Sequence, residues 1–342
     1  MAEVSAARKR RAIPVIALAL LCAGAAHAQL RGPEPYGKWW TTCDNTKACA
    51  VYGSGGDDGV AVTVMIRRGP APADPVRISL IADGPRAPTA GADWRLTIDG
   101  RPAGVARARS GQVMIADLPP ADAAILIGRL LEGRELQLEG GGGGRLGLAG
   151  ADAALRRMDQ EQGRAGGVTA LAARGSNPAD AVPPAPRPPV IEVGSLPSQK
   201  DLPNDTPLGH FDKRRCQNGR EPVGTPQVYR LGEDALLWLV PCGRADRGQA
   251  VVLLSDGRGD KVRPALGGRG MGESVEARFD PRQAILTAFE SEYGLTDCGR
   301  GADYVWTGDE FRVVREREMI QCVGLPRELW PDTFRAVVRR AS

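Results

Sequence analysis

The residues in this chain that could do chemistry are six cysteines, one histidine and a scatter of carboxylates. Their spacing points to crosslinks more than to a reaction. Cys43, Cys49, Cys216, Cys242, Cys298 and Cys322 form an even set once Cys22, inside an N-terminal apolar segment, is set aside. In an oxidising compartment an even set of cysteines reads as disulfides. Sequential pairing (Cys43–Cys49, Cys216–Cys242, Cys298–Cys322) is the expectation, although spacing alone does not choose among the alternatives. Loop closure would then contribute about 2.4 kcal/mol for the short loop and about 3.5 kcal/mol for each long one. Oxidised sulfurs leave no thiolate nucleophile. Zinc is disfavoured too, because no C-x-x-C occurs and His210 is the only histidine beyond residue 28.

A hydrolytic triad needs a base beside its nucleophile. The chain has no G-x-S-x-G, and His210 sits at the edge of a proline-rich stretch. Two carboxylates could hydrolyse a glycoside, and Asp44, Asp57, Asp58, Asp297, Asp303, Glu290 and Glu292 are the available groups. No spacing marks two of them as a pair. Asp44, with Asn45 beside it, reads as the cap of the turn between Cys43 and Cys49. Asp57 and Asp58 lack the spacing of an EF-hand loop. Gly140 to Gly144 lack the Lys-Ser/Thr pair of a phosphate-binding loop, and Arg145 to Leu148 read as a short strand. No cofactor or metal is expected.

Tryptophan is the other informative type. Trp94 and Trp238 lie in apolar runs and read as core. Trp39 and Trp40 are neighbours, so in a strand they face opposite sides. An exposed tryptophan would bind sugar rings or a protein partner; Trp39, Trp40 and Trp306 are the candidate binding residues. Trp306 and Trp330 are expected near Cys298 and Cys322.

These residues have to be positioned outside the cytoplasm. Arg8 to Arg11 precede an apolar run from Ile13 to Ala26, and Ala26-His27-Ala28 fits signal peptidase, so 1–28 reads as a signal peptide. The run is short for a membrane span, which needs about 20 apolar residues. The expected location is the periplasm, with no stable membrane insertion after cleavage. Removing 1–28 leaves 41 basic against 40 acidic residues. A nearly neutral chain argues against nucleic acid as a partner.

The 44 glycines and 27 prolines favour short strands and many turns over long helices. The expected fold is mainly β (α+β), a β-sandwich type with two β-rich domains, disulfide-stapled, each carrying one or two short packed helices. The boundaries are 36–165 for the first domain, 166–207 for a Pro-rich linker, and 208–340 for the second domain with four cysteines. Val60 to Arg68, Val76 to Ala82, Asp93 to Asp99, Arg101 to Arg107 and Gly111 to Asp117 read as strands, with a hairpin at Asp99-Gly100. Helices are expected over Pro119–Glu132, capped by Asp117, and over Ala151–Gln162. In the second half Ala235 to Val240 and Ala250 to Ser255 read as strands. Asp280 to Tyr293 reads as a helix, with Asp280 as N-cap, Pro281 at N1 and a stripe of Ala284, Ile285, Ala288 and Phe289. Thr307-Gly308-Asp309 reads as a hairpin turn.

Trp40-Thr41-Thr42-Cys43-Asp44-Asn45 followed by Ala48-Cys49 resembles the opening of a bacterial envelope family of unknown function, DUF number 1176. The resemblance returns at Leu236 to Cys242, at Gly294 to Gly299, at Tyr304 to Gly308 and through Phe311-Arg312-Val313 to Cys322, and so covers most of the chain. Gly243-Arg244-Ala245-Asp246 departs from the small-Tyr-Asn segment usual there. The N-terminal half is more weakly similar to invasion-associated locus B type exported proteins. The resemblance implies export and a cysteine-stapled fold, and implies no reaction. The expected function is a non-catalytic binding module for an envelope protein or glycan, with a hydrolase inhibitor as one version. A carboxylate-dependent envelope hydrolase and a structural envelope component are the alternatives.

Overall fold

The protein is described by a computed structural model covering residues 32–341 except 58, 86, 88, 110–113, 140–142, 201, 203–215, 217–223, 243–248, 259–261, 267–273 and 292–296. The segment 1–28, Asp58, His210, Gly243 to Asp246 and Glu292 lie outside the described residues.

The first half is a ten-stranded antiparallel sheet with two helices. Its strands are β1 (Glu34–Tyr36), β2 (Trp39–Cys43), β3 (Cys49–Asp57), β4 (Val60–Arg68), β5 (Val76–Asp83), β6 (Asp93–Ile98), β7 (Arg101–Arg109), β8 (Met114–Asp117), β9 (Glu135–Glu139) and β10 (Arg145–Gly147). They lie in the order β1-β2-β3-β4-β5-β8-β7-β6-β9-β10. Helix α1 (Pro120–Glu132) joins β8 to β9, and α2 (Ala151–Glu161) follows β10. The sheet curls so that β10 returns to β3: a Cβ on Gly55 would meet the Arg145 carbonyl at 2.7 Å.

Asp117 does not cap α1. It ends β8, where its carboxylate accepts the Ser79 hydroxyl at 2.7 Å, and Pro119 holds the N-cap position without a side-chain bond. The Asp99-Gly100 turn has positive φ at both residues (49° and 75°), as a tight type I′ hairpin requires.

The two faces of this sheet are buried differently. Trp39, Val51, Val62, Val64, Ile66, Ile78 and Leu80 pack on α1 and α2 through Leu126, Ile127, Leu130, Leu155 and Met158. On the opposite face, Ala50, Tyr52, Met65 and Ile81 meet Phe289, Met319, Leu325 and Trp330 of the second half. Burial on both sides explains why β4 reads VAVTVMIRR with no polar face.

Between the halves, the chain from Arg164 to Ala173 folds back onto the first sheet. Buried Arg164 donates to the carbonyls of Pro72 at 3.2 Å and of Gly69 and Pro70 at 3.4 Å. Buried Asp159 accepts the backbone amides of Leu171, Ala172 and Ala173 at 2.8–2.9 Å. Further on, β11 (Val190–Val193) pairs in parallel with the last strand of the chain. The Pro-rich stretch thus contains docked and paired segments.

The second half is a nine-stranded antiparallel sheet. Its strands are β12 (Gln227–Gly232), β13 (Ala235–Pro241), β14 (Gln249–Ser255), β15 (Arg263–Pro264), β16 (Ser274–Asp280), β17 (Ile285–Ser291), β18 (Gly299–Trp306), β19 (Phe311–Met319) and β20 (Asp332–Arg335). The order is β12-β13-β14-β16-β17-β18-β19-β20, with β15 beside β14. Strand β21 (Val337–Arg340) is β11's partner.

The helix expected over Asp280–Tyr293 is instead a hairpin between β16 and β17. Asp280 Oδ1 accepts the amide of Arg282 at 2.9 Å, capping a turn in place of a helix. Asp-Pro serves both roles equally well. In β17, Leu286 and Ala288 face the second core while Phe289 faces the first half. A strand with apolar residues on both sides imitates a helical stripe. Among the described residues, both α-helices therefore belong to the first half.

Disulfides join Cys43 to Cys49, Cys216 to Cys242 and Cys298 to Cys322. Among the described residues no helix is long and apolar enough to cross a membrane.

Candidate binding cleft

Where the halves meet, they enclose a cleft of about 510 Å³. One wall comes from the Cys43–Cys49 loop, Arg67 on β4, the turn from Gly69 to Pro75, and Arg77 on β5. The other comes from Arg315 on β19, Glu328, Trp330, Pro331, and Asp332 and Arg335 on β20. Its volume falls in the range of small-ligand pockets, about 300–1,000 Å³.

The Cys43–Cys49 loop is held rigid from inside. Asp44 Oδ1 accepts the Thr46 amide at 2.8 Å, the Thr46 hydroxyl at 2.7 Å and the Ala48 amide at 3.1 Å. Its Oδ2 lies 2.7 Å from Arg335 Nε, so the loop is clamped to β20. Arg335 Nη2 also contacts Asp332 at 2.6 Å. Buried Asp332 is shared again by Arg315 Nε at 2.6 Å and Arg317 Nε at 3.9 Å. Burial opposes the charge on Arg315, and the hydrogen bond and charge of Asp332 outweigh it, so its pKa is raised.

Arg67 differs. Its Nη2 donates to the Leu329 carbonyl across the junction. Burial lowers its pKa, Asp332 and Asp117 oppose this, and Arg315 adds to the lowering. Arg77, opposite Arg67 in the β4–β5 register, is exposed. Neither makes an ion pair among the described residues. Arg68 points the other way, beneath the helices, 3.7 Å from Asp159. Burial and nearby Arg164 lower its pKa to about 10.

The tryptophans singled out from sequence are placed elsewhere. Trp39 is fully buried, donates to the Gly147 carbonyl at 3.0 Å, and lies over Gly53. Trp40 is half-buried and stacked on Tyr52 with centroids 5.9 Å apart. Trp306 is buried edge-on to Phe311 in the second core. Trp330 is the tryptophan that lines the cleft; it is buried, donates to the Leu325 carbonyl at 2.9 Å, and packs edge-on against Phe289.

The candidate carboxylates are likewise dispersed. Asp297 accepts the Gly324 amide at 2.7 Å, and Asp303 accepts the Thr287 hydroxyl at 2.9 Å and pairs with Arg317. Asp297, Cys298 and Cys322 lie within 4.8 Å of one another. The two sulfurs are bonded to each other, so that cluster offers no thiolate to a metal. The residues that sequence reasoning missed are Arg67, Arg77, Arg315, Asp332 and Arg335. Arg67 and Arg68 end an apolar strand, and the two face opposite sides of the sheet.

Three comparisons place the chain among known proteins. A family model described as "Protein of unknown function (DUF1176)" matches residues 34–337. "Uncharacterized protein YpfG" of Escherichia coli (strain K12) is 26% identical over 301 residues, covering 82% of this chain and 86% of that protein. The crystal structure of invasion associated protein B from Bartonella henselae matches with 20% identity and a TM-score of 0.27, over 39% of this chain and 99% of that one. With its match running from β1 to the start of β21, the chain belongs to the DUF1176 family.

Proposed function

We propose that the protein is a non-catalytic binding module of the bacterial envelope, engaging an envelope protein or glycan through the cleft between its halves. One observation carries this reading. Both halves build the cleft, and among its described charged lining residues guanidiniums predominate, with Asp332 ion-paired to two of them and no nucleophile placed beside a base. Guanidinium stays protonated and serves as a donor, so it binds anions well and transfers protons poorly. Three disulfides fit an exported, oxidising location.

The test is a photo-crosslinking amino acid placed at Glu328 on the exposed rim of the cleft, in the full chain, within the envelope of cells that make it. A control position is Ile125, exposed on α1. A saturable adduct at Glu328 and none at Ile125 is the expected result. Equal labelling at both positions would remove the cleft from consideration.

A further inference from the structure

Building on the binding-module reading, we propose that Arg67 and Arg77 form an anion subsite in the cleft, shaped for a phosphate monoester group carried by the ligand. The two arginines are directly opposed in the β4–β5 register and therefore share one sheet face. Like charges directly opposite each other destabilise a sheet. Asp332 and Asp117 offset part of this cost at Arg67 from a distance, but neither arginine has an ion-pair partner among the described residues.

Three of the neighbouring carboxylates are engaged by other groups, and Glu328 stands exposed at the rim. Asp332 is shared between Arg315 and Arg335, and Asp44 holds Arg335 and its own loop. Asp74 Oδ2 accepts the Ala71 amide at 2.7 Å. The Leu329 carbonyl fixes one side of the Arg67 fork, leaving its other donors for the cleft. Cross-strand neighbours start with Cβ atoms about 5 Å apart, so two guanidiniums can converge on a single group. Arg315 is close enough to act on the charge of Arg67. Two unpaired guanidiniums, with the ion-paired Arg315 beside them, favour a group with about two negative charges and three acceptor oxygens over a single carboxylate. A phosphorylated sugar, a phospholipid headgroup and free phosphate all present this chemistry.

The experiment is calorimetric titration of the full mature chain, at fixed ionic strength, with inorganic phosphate, with glucose 6-phosphate, and with phosphatidylcholine vesicles containing phosphatidic acid. At least one should bind saturably, and which one does so identifies the source of the phosphate. Arg77→Gln, at an exposed position, should weaken that binding about tenfold or more. Arg101→Gln, exposed and outside the cleft, should leave it unchanged. Absence of saturable binding, equal binding by Arg77→Gln, or equally effective competition by acetate would each overturn the phosphate subsite. The two readings fail separately: a Glu328 adduct that persists in Arg77→Gln would keep the binding module and remove the subsite.

Discussion

Asn45 and Arg335, 290 residues apart, exchange two hydrogen bonds across the junction. The Asn45 side-chain amide donates to the Arg335 carbonyl at 2.9 Å, and its Oδ1 accepts the Arg335 amide at 2.7 Å. The pattern is that of a paired strand residue, supplied by a side chain at the edge of β20. Gln199 does the same on β12, donating to the Arg230 carbonyl at 2.8 Å and accepting its amide at 3.0 Å. Both outermost strands of the second sheet are thus blunted by an amide, which protects them from adding a foreign strand.

Asn45→Ala should lower unfolding free energy by about 1–3 kcal/mol, since two backbone groups lose partners and water replaces them incompletely. Asn45→Asp keeps the acceptor and loses the donor, so it should fall between wild type and Asn45→Ala. Urea denaturation of the three proteins checks the order. Identical midpoints would show that the clasp contributes nothing to stability.

Asp159 makes a stronger case. Its buried carboxylate neutralises Arg68 and gathers three consecutive amides from the segment after α2. Asp159→Ala should cost about 3–5 kcal/mol, because it strands the buried guanidinium of Arg68 as well as those amides. The segment around Leu171 should also become the first site of limited proteolysis. An unchanged cleavage pattern would mean that Arg164 alone keeps it docked.

How much of this was legible in advance depends on which contacts are local. The β4–β5 strands, the Asp99-Gly100 hairpin, the Asp44 cap and α2 follow from short-range patterns, and the structure has them. The β16–β17 hairpin was hidden because Asp280-Pro281 starts helices and turns alike, and because Phe289 faces a different core from Leu286. The cleft was hidden for another reason. Arg67, Arg77, Arg315 and Arg335 come from strands of two different sheets, and only the docking of Tyr52 and Met65 on Phe289 and Trp330 brings them together. No local periodicity encodes that contact.

Glycines inside β3 were a legible sign of close approach that sequence reading did not use. A Cβ on Gly53 would stand 2.5 Å from the Trp39 ring. Gly53→Ala should therefore destabilise the first sheet by about 1–3 kcal/mol through overpacking. Calorimetric melting, with Trp39 fluorescence as a local reporter, would check this. A melting temperature equal to wild type would show that the ring shifts at no cost.

Stability at high pH should carry the signature of Tyr52. Burial is the largest influence on its phenol and raises the pKa from the ordinary 10.0. The native state therefore holds this proton where the unfolded chain releases it. The contribution of the neutral phenol is complete below pH 10 and declines above it, by up to about 1.4 kcal/mol per pH unit. Tyr52→Phe should flatten the fall in unfolding free energy above pH 10 relative to wild type. Parallel curves for the two proteins would show that Tyr52 ionises freely in the native state.

The disulfides should differ in what they protect. Replacing Cys298 and Cys322 by Ser opens a separation of 24 residues and should cost about 3.5 kcal/mol. Replacing Cys43 and Cys49 opens a separation of 6 and should cost about 2.4 kcal/mol in chain entropy. That shorter loop, however, carries Asp44 and Asn45, both of which hold Arg335. Loosening it should weaken the clamp between the halves, so Cys43→Ser/Cys49→Ser should lose ligand at the Arg67–Arg77 subsite while Cys298→Ser/Cys322→Ser retains it under conditions where both are folded. Phosphate titration of the two double variants decides the matter. Equal affinity in both would show that the Asp44 hydrogen bonds alone keep the loop in place.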